Sequence, residues 1–167
     1  MFLIVLFVFI SYSLIGFLDD YLSIKQNQNK GLTQIQKLIL QFIVALIFYI
    51  LYRKYTNANS VLEITILHIK WNLDWFYGVF ILLLLVGSSN AVNLTDGLDG
   101  LASGITLIVS IFFMLLAISV GNSDVAILAA ATGGACLGFL GFNSYPAKVF
   151  MGDTGSMALG GAVVSFA

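Results

Sequence analysis

Residues 101–120, LASGITLIVSIFFMLLAISV, run for twenty positions without a charged side chain. A helix needs about 20 mostly apolar residues to cross the hydrocarbon of a bilayer, with roughly 17 as a working minimum. Only helices and closed barrels cross it with every backbone polar group paired. Comparable runs at 1–18, 37–52, 74–89, 125–142 and 155–167 bring the candidates to six, the second and third short and the sixth reaching the end of the chain. Charged residues make up 9% of the 167, against about 25% in soluble domains. The expected fold is therefore an all-α integral membrane bundle, one transmembrane domain over residues 1–167.

Composition excludes several other classes. The formal net charge is −1, so no basic surface suggests nucleic acid, and the lone Cys136 allows neither a disulfide nor a cysteine metal cluster. No secretory signal is expected, because the first run lacks a basic leader and no small-residue cleavage site follows it. The stretch 54–73, KYTNANSVLEITILHIKWNL, has β-branched residues in partial alternation, which predicts a short strand or hairpin outside the membrane.

Six spans joined by short loops put alternate loops on the same side. The odd loops are 19–36, 90–100 and 143–154, and they hold five of the eight acidic residues: Asp19, Asp20, Asp96, Asp99 and Asp153. Three segments far apart in sequence thus bring carboxylates to one face of one bundle. Lys25, Lys30, Lys37 and Lys148 lie on or beside that face, and Arg53, Lys54 and Lys70 on the other. The positive-inside rule leans towards a cytoplasmic odd face by that one residue.

Each odd loop has its own chemistry. In GFLDDYLSIKQNQNKGLTQIQK, adjacent Asp19 and Asp20 close an apolar run, where mutual repulsion calls for a cation, a proton or a lysine. A solvated helix end is the plain alternative, although the C-terminal dipole favours cations there. The lysines suit either an anionic substrate or the anionic leaflet, the commoner use. In NAVNLTDGLDGLA, Asn90, Asn93, Asp96 and Asp99 recur every three residues, a spacing that drifts around a regular helix and that a break at Gly97 or Gly100 would realign. An Asp-Gly turn accounts for one such pair but not for two preceded by asparagines. In FNSYPAKVFMGDTGSMALGG, Asp153 stands between Gly152 and Gly155, with Thr154 and Ser156 at the start of the last run. As structure this is an N-cap. As chemistry, a helix N-terminus with glycines and hydroxyls suits phosphate, and its aspartate suits Mg²⁺ shared with a substrate phosphate. Phosphoryl transfer at a membrane face fits this set, by positioning and charge neutralisation. No Walker loop is present, and His68 falls in an even loop, away from the acids.

Taken together, SNAVNLTDGLDGLA, FNSYPAKVFMGDTGSMALGG and GFLDDYL…GLT…QK resemble the polyprenyl-phosphate sugar-1-phosphate transferases, and within them the MraY-type branch, the phospho-N-acetylmuramoyl-pentapeptide transferases. The branch rests on Thr95 in NLTDGLDG and on MALGGA after GDTGS. The resemblance implies transfer of phospho-N-acetylmuramoyl-pentapeptide from its UDP-sugar to undecaprenyl phosphate, giving lipid I and UMP with Mg²⁺, on the cytoplasmic face of a bacterial plasma membrane. It further implies that Asp153 ligates magnesium and that Asp19 and Asp20 lie by the reacting phosphates, with Asp19 a candidate base. Asn93 and Asp96 then line the diphosphate, while Asp99, Asn143 and Phe150 hold the uridine, Phe150 by stacking. Ser156 and Lys37 join the substrate-binding set, and relatives include homodimers.

Two departures matter. Relatives usually carry a lysine three positions after the acidic pair, where this chain has Ser23, with Lys25 as a substitute. The family has about ten spans of bilayer-crossing length, so this chain reads as an internal fragment, expected to be inactive or very weak alone. The nearest rival is an N-acetylglucosamine-1-phosphate transferase. A cation channel or transporter is the rival from another class, and it predicts acids near the midplane rather than at one end.

Overall fold

The computed structural model describes every residue except 26–30, 57–59 and 65–67, and gives the backbone alone at 63 and 64. Lys30 lies outside the described residues. Among the described residues six helices appear in order: α1 (Phe2–Lys25), α2 (Gln34–Tyr55), α3 (Phe76–Thr95), α4 (Leu101–Ser119), α5 (Ser123–Asn143) and α6 (Gly152–Phe166). The first five are long and apolar enough to cross a membrane. The sixth, at 15 residues, falls short of that length. Between α2 and α3 the expected hairpin is present. Strands β1 (Val61–Ile64) and β2 (Ile69–Asn72) pair antiparallel, with Leu62 opposite Trp71. His68 sits in its turn with φ of +51°.

Helix ends differ from expectation where polar side chains let the helix run on. α1 continues to Lys25, so Asp19 and Asp20 lie inside a helix instead of terminating one. Lys25 in its last turn complements the helix dipole. α2 begins at Gln34 because Thr33 and Gln36 form a reciprocal capping box, Gln36 N–H donating to Thr33 Oγ1 and Thr33 N–H to Gln36 Oε1. α3 runs through Asn90 and Asn93 to Thr95, and Asp96 is its C-cap. The chain then breaks, and Gly100, at φ of +71°, opens α4.

α6 is the centre of the packing. Every residue from Ser156 to Ala162 is buried, against α1 on one side and α3 on the other. Lipid supplies no hydrophobic force between helices, so close approach by small residues and interhelical hydrogen bonds must hold them. Both are found. A side chain at Gly160 would collide with the backbone of Ser88 and Ser89 on α3, and one at Gly161 would crowd the side chains of Val8 and Tyr12 on α1. Ser88 and Ser89 donate their hydroxyls to the carbonyls of Gly160 and Met157. α4 and α5 form an antiparallel hairpin through Gly121 and the N-cap Asn122, which receives the Val125 amide.

Candidate functional site

The three odd segments meet. Lys37, in the first turns of α2, places Nζ 3.0 Å from Asp19 Oδ2 on α1 and 2.6 Å from Asp153 Oδ2 on α6. The other Asp153 oxygen accepts from Asn93 Nδ2 on α3 at 2.7 Å. Asn93 also donates to Ser156 Oγ, which in turn donates to the Gly152 carbonyl. The Leu32 amide donates to Asp19 Oδ1 at 2.6 Å, and Gly31 lies against the same carboxylate.

Asp20 does something sequence reasoning did not foresee. Its two oxygens accept the amides of Asp153 and Thr154 and the Thr154 hydroxyl, at 3.2, 2.9 and 2.6 Å. A carboxylate of α1 therefore caps the N-terminus of α6, supplying the acceptors and the negative charge that helix start lacks. Asp153 is not itself the N-cap: Met151 holds that position without a side-chain bond. Gly152 makes the arrangement feasible, because its φ is +66° and a Cβ there would press within 3.0 Å of Asp20 Oδ2. Asp19, Asp20 and Asp153 can each present one oxygen within 4.8 Å of the others.

Asp96, in the turn after α3, is partly buried beside this cluster. Burial first, and then the charges of Asp153 and Asp20, push its carboxyl up to about 6, against a lowering hydrogen bond from the Gly152 backbone. Asp99 turns the other way and accepts the Ala147 amide at 2.9 Å. Asn143, at the end of α5, is buried. Its oxygen accepts from the Gly100 amide and the Ser103 hydroxyl, and its nitrogen donates to the Val149 carbonyl. Asp99 and Asn143 thus hold the loop 144–151, whose Tyr145 and Phe150 are exposed. Ser156 is buried, its hydroxyl shared between Asn93 and Gly152.

The arrangement gathers the carboxylates of Asp19, Asp20 and Asp153, with Asp96 beside them, and the Lys37 ammonium bridges two of these, Asp19 and Asp153. It can hold a cation and present hard oxygens to it, while the start of α6 is already capped by Asp20. Asp153 shares Lys37 with Asp19 and is not remote from it, as the channel reading would require. Lys37 was the residue least specified by the sequence. The Thr33-x-x-Gln36 spacing was the available clue, since it starts α2 early enough to put Lys37 in the first turns.

Fold and site together define a multi-span helical membrane protein with a carboxylate-lined polar cluster at one end of its bundle. The glycosyl transferase family 4 profile matches residues 2–167, and the chain belongs to that family. It is 59% identical over 158 residues to the phospho-N-acetylmuramoyl-pentapeptide-transferase of Clostridioides difficile (strain 630), covering 93% of this chain and 48% of that one. It is 52% identical over 164 residues to the protein of the same name in Bacillus subtilis (strain 168), covering 98% and 50%. Against that of Bacillus velezensis it is 53% identical over 164 residues, covering 98% and 50%. These names are those of the branch expected from the motifs. The chain spans about half the length of the curated relatives it matches.

Proposed function

We propose that this segment carries the phosphate-handling part of a transferase that moves phospho-N-acetylmuramoyl-pentapeptide from its UDP-sugar to undecaprenyl phosphate, releasing UMP and forming lipid I. The observation that carries the reading is the convergence of Asp19, Asp20 and Asp153 from two helices onto one end of the bundle, their oxygens within 4.8 Å. Membership of the family supports it. The donor set fits magnesium: carboxylate oxygens are hard ligands, and the cluster carries excess negative charge. Asp153, with Asp19 and Asp20 beside it, would hold the ion, which when bound offsets the charge of the diphosphate.

The chain's own residues then divide the work. Asp19, held by the Leu32 amide and Lys37, is the group to take a proton from the lipid phosphate. Lys37, paired with Asp19 and Asp153, can exchange one carboxylate for a phosphate oxygen. Asn93 orients Asp153, and Ser156 fixes Asn93. Asp96 lines the diphosphate from the opposite loop. Asp99 and Asn143 hold the loop that presents Phe150 to a uracil ring. The face is cytoplasmic in this reading, where the UDP-sugar is made.

The test replaces the matching half of the Bacillus subtilis relative with residues 1–167 and supplies undecaprenyl phosphate with either UDP-N-acetylmuramoyl-pentapeptide or UDP-N-acetylglucosamine. Lipid I and UMP from the first alone are expected, with turnover lost in Asp153→Asn. Product from the second sugar alone would move the segment to the N-acetylglucosamine branch. The isolated 167-residue chain is expected to be inactive or nearly so.

A further inference from the structure

One buried polar contact lies outside this scheme. Asn90 on α3 donates through Nδ2 to Gln41 Oε1 on α2 at 2.7 Å and to the Val86 carbonyl at 2.8 Å. The Val86 oxygen can only accept, so Asn90 must turn its nitrogen inward, and Gln41 must then answer with its oxygen. That choice leaves Gln41 Nε2 buried with no hydrogen-bond partner among the described residues. Gln41 is fully buried, and an orphaned donor there is unfavourable where leucine would fill the space without penalty. The Tyr12 hydroxyl of α1 closes the layer by donating to the Gln41 carbonyl at 3.2 Å.

The position of this contact gives it meaning. Gln41 follows Lys37 by four residues on α2, and Asn90 precedes Asn93 by three on α3. Residues at these spacings share a helix face. The helices run in opposite directions, so both steps lead away from the site by about one turn. One rung therefore joins Lys37 and Asn93 through the two oxygens of Asp153, and the next joins Gln41 directly to Asn90. α2 is otherwise lightly held, burying only Gln41, Ala45 and Phe48. A helix with so little buried surface in lipid has few contacts to set its depth and rotation, and a polar rung between helices does so.

We propose that Gln41 is a positioning residue, which through Asn90 fixes the register of α2 against α3 and so keeps Lys37 and Asn93 on the same carboxylate. The proposal rests on the reading that Asp153 is the centre of the site, and it gives Asn90, which the site itself leaves without a role, its place.

The experiment uses the 167-residue chain in lipid nanodiscs with ¹⁵N-labelled lysine, and the Nζ signal of Lys37 is assigned by its loss in Lys37→Arg. Gln41→Leu should move that signal towards the exposed Lys54 and Lys148 and speed its exchange with water. Gln41→Asn should do the same, by shortening the bridge. The double exchange Gln41→Asn with Asn90→Gln preserves the length of the bridge and should restore the signal. In the chimera, Gln41→Leu should lower kcat by on the order of tenfold to a hundredfold with KM little changed, and the double exchange should recover most of it. A Lys37 signal and kcat unmoved by Gln41→Leu, with only a lower unfolding temperature, would overturn the proposal. So would failure of a folded double exchange to restore either. The lysine signal is read with no substrate present, whereas Asp153→Asn reads the reaction, so the clamp and the assigned activity can fail separately.

Discussion

The Thr154 amide and hydroxyl both donate to the Asp20 carboxylate, at 2.9 and 2.6 Å, across 134 positions of sequence. Because Asp20 belongs to α1, the start of α6 cannot drift from α1 without losing its cap. Gly16, one turn earlier on α1, has no side chain to hold the Asp153 backbone away. The acidic pair is therefore split in purpose. Asp20 fixes the helix that carries Asp153, while Asp19 faces Lys37.

That split predicts different outcomes for the two neighbours. Asp20→Ala should lower stability by about 0.5–2 kcal/mol, the usual worth of an N-cap, and Asp20→Asn by less, since one acceptor oxygen remains. Asp19→Asn, which keeps an acceptor for Leu32, should affect the unfolding temperature less than Asp20→Ala. Thermal unfolding in detergent measures all three. Equal stability of Asp20→Ala and the unaltered chain would remove the cap from the account.

The parity of the loops, the hairpin in 54–73 and the meeting of Asp19, Asp20 and Asp153 were legible because each depends on long-range pattern: span length, loop order, the placing of acids. What was not legible depends on local capping and on geometry across helices. Asp19 and Asp20 read as a helix end because polarity rises there, yet nothing at 19–25 breaks a helix, and α1 continues. The function of Asp20 is set by the Gly152 backbone, which no pattern in GFLDDYL reveals. Asn93 and Ser156 stand 63 residues apart and meet only because α6 is wedged against α3. Gln41 carries no mark in KLILQFIVAL beyond being the one polar residue inside an apolar run.

Lys37 competes with any cation for the oxygens it already holds. Two unit charges at 4 Å interact by about 4 kcal/mol at an effective dielectric of 20, so even a fraction of this repulsion is felt. Lys37→Met should therefore bind Mn²⁺ about tenfold more tightly or better, while turnover in the chimera falls. Calorimetry or Mn²⁺ electron paramagnetic resonance on the 167-residue chain gives the affinity. Weaker binding in Lys37→Met would mean that the lysine holds the carboxylates in place for the ion instead of competing with it.

Asp96 supplies a pH dependence. Its carboxyl sits at about 6 in the folded chain, above its ordinary value, because burial and neighbouring carboxylates disfavour its charge. The folded state then binds the proton more tightly than the unfolded state. This group's contribution to stability is present below about pH 4 and is lost as pH rises through about 6. In metal-free buffer, Asp96→Asn should flatten the stability profile between those limits. Identical profiles with and without Asp96 would assign the titration to another group.

The wedge formed by α6 gives the sharpest contrast between two glycines. A Cβ on Gly160 would lie 2.5 Å from Ser89 Cα and 2.6 Å from the Ser88 carbonyl oxygen, both backbone atoms that cannot turn aside. Gly134 on α5 is exposed and meets nothing within 4 Å. Gly160→Ala must part α6 from α3, which overpacking data put at about 1–3 kcal/mol or more. It should also lengthen the Asn93–Asp153 contact two turns away and with it reduce turnover in the chimera. Gly134→Ala relieves a helix interior of its glycine, a gain of about 0.8–1.0 kcal/mol on peptide scales, and should leave turnover alone. Unfolding temperature and kcat together distinguish the two. If Gly160→Ala is tolerated as well as Gly134→Ala, α6 is not held by close packing on α3, and the position of Asp153 must depend on the contacts with α1, Asp20 among them.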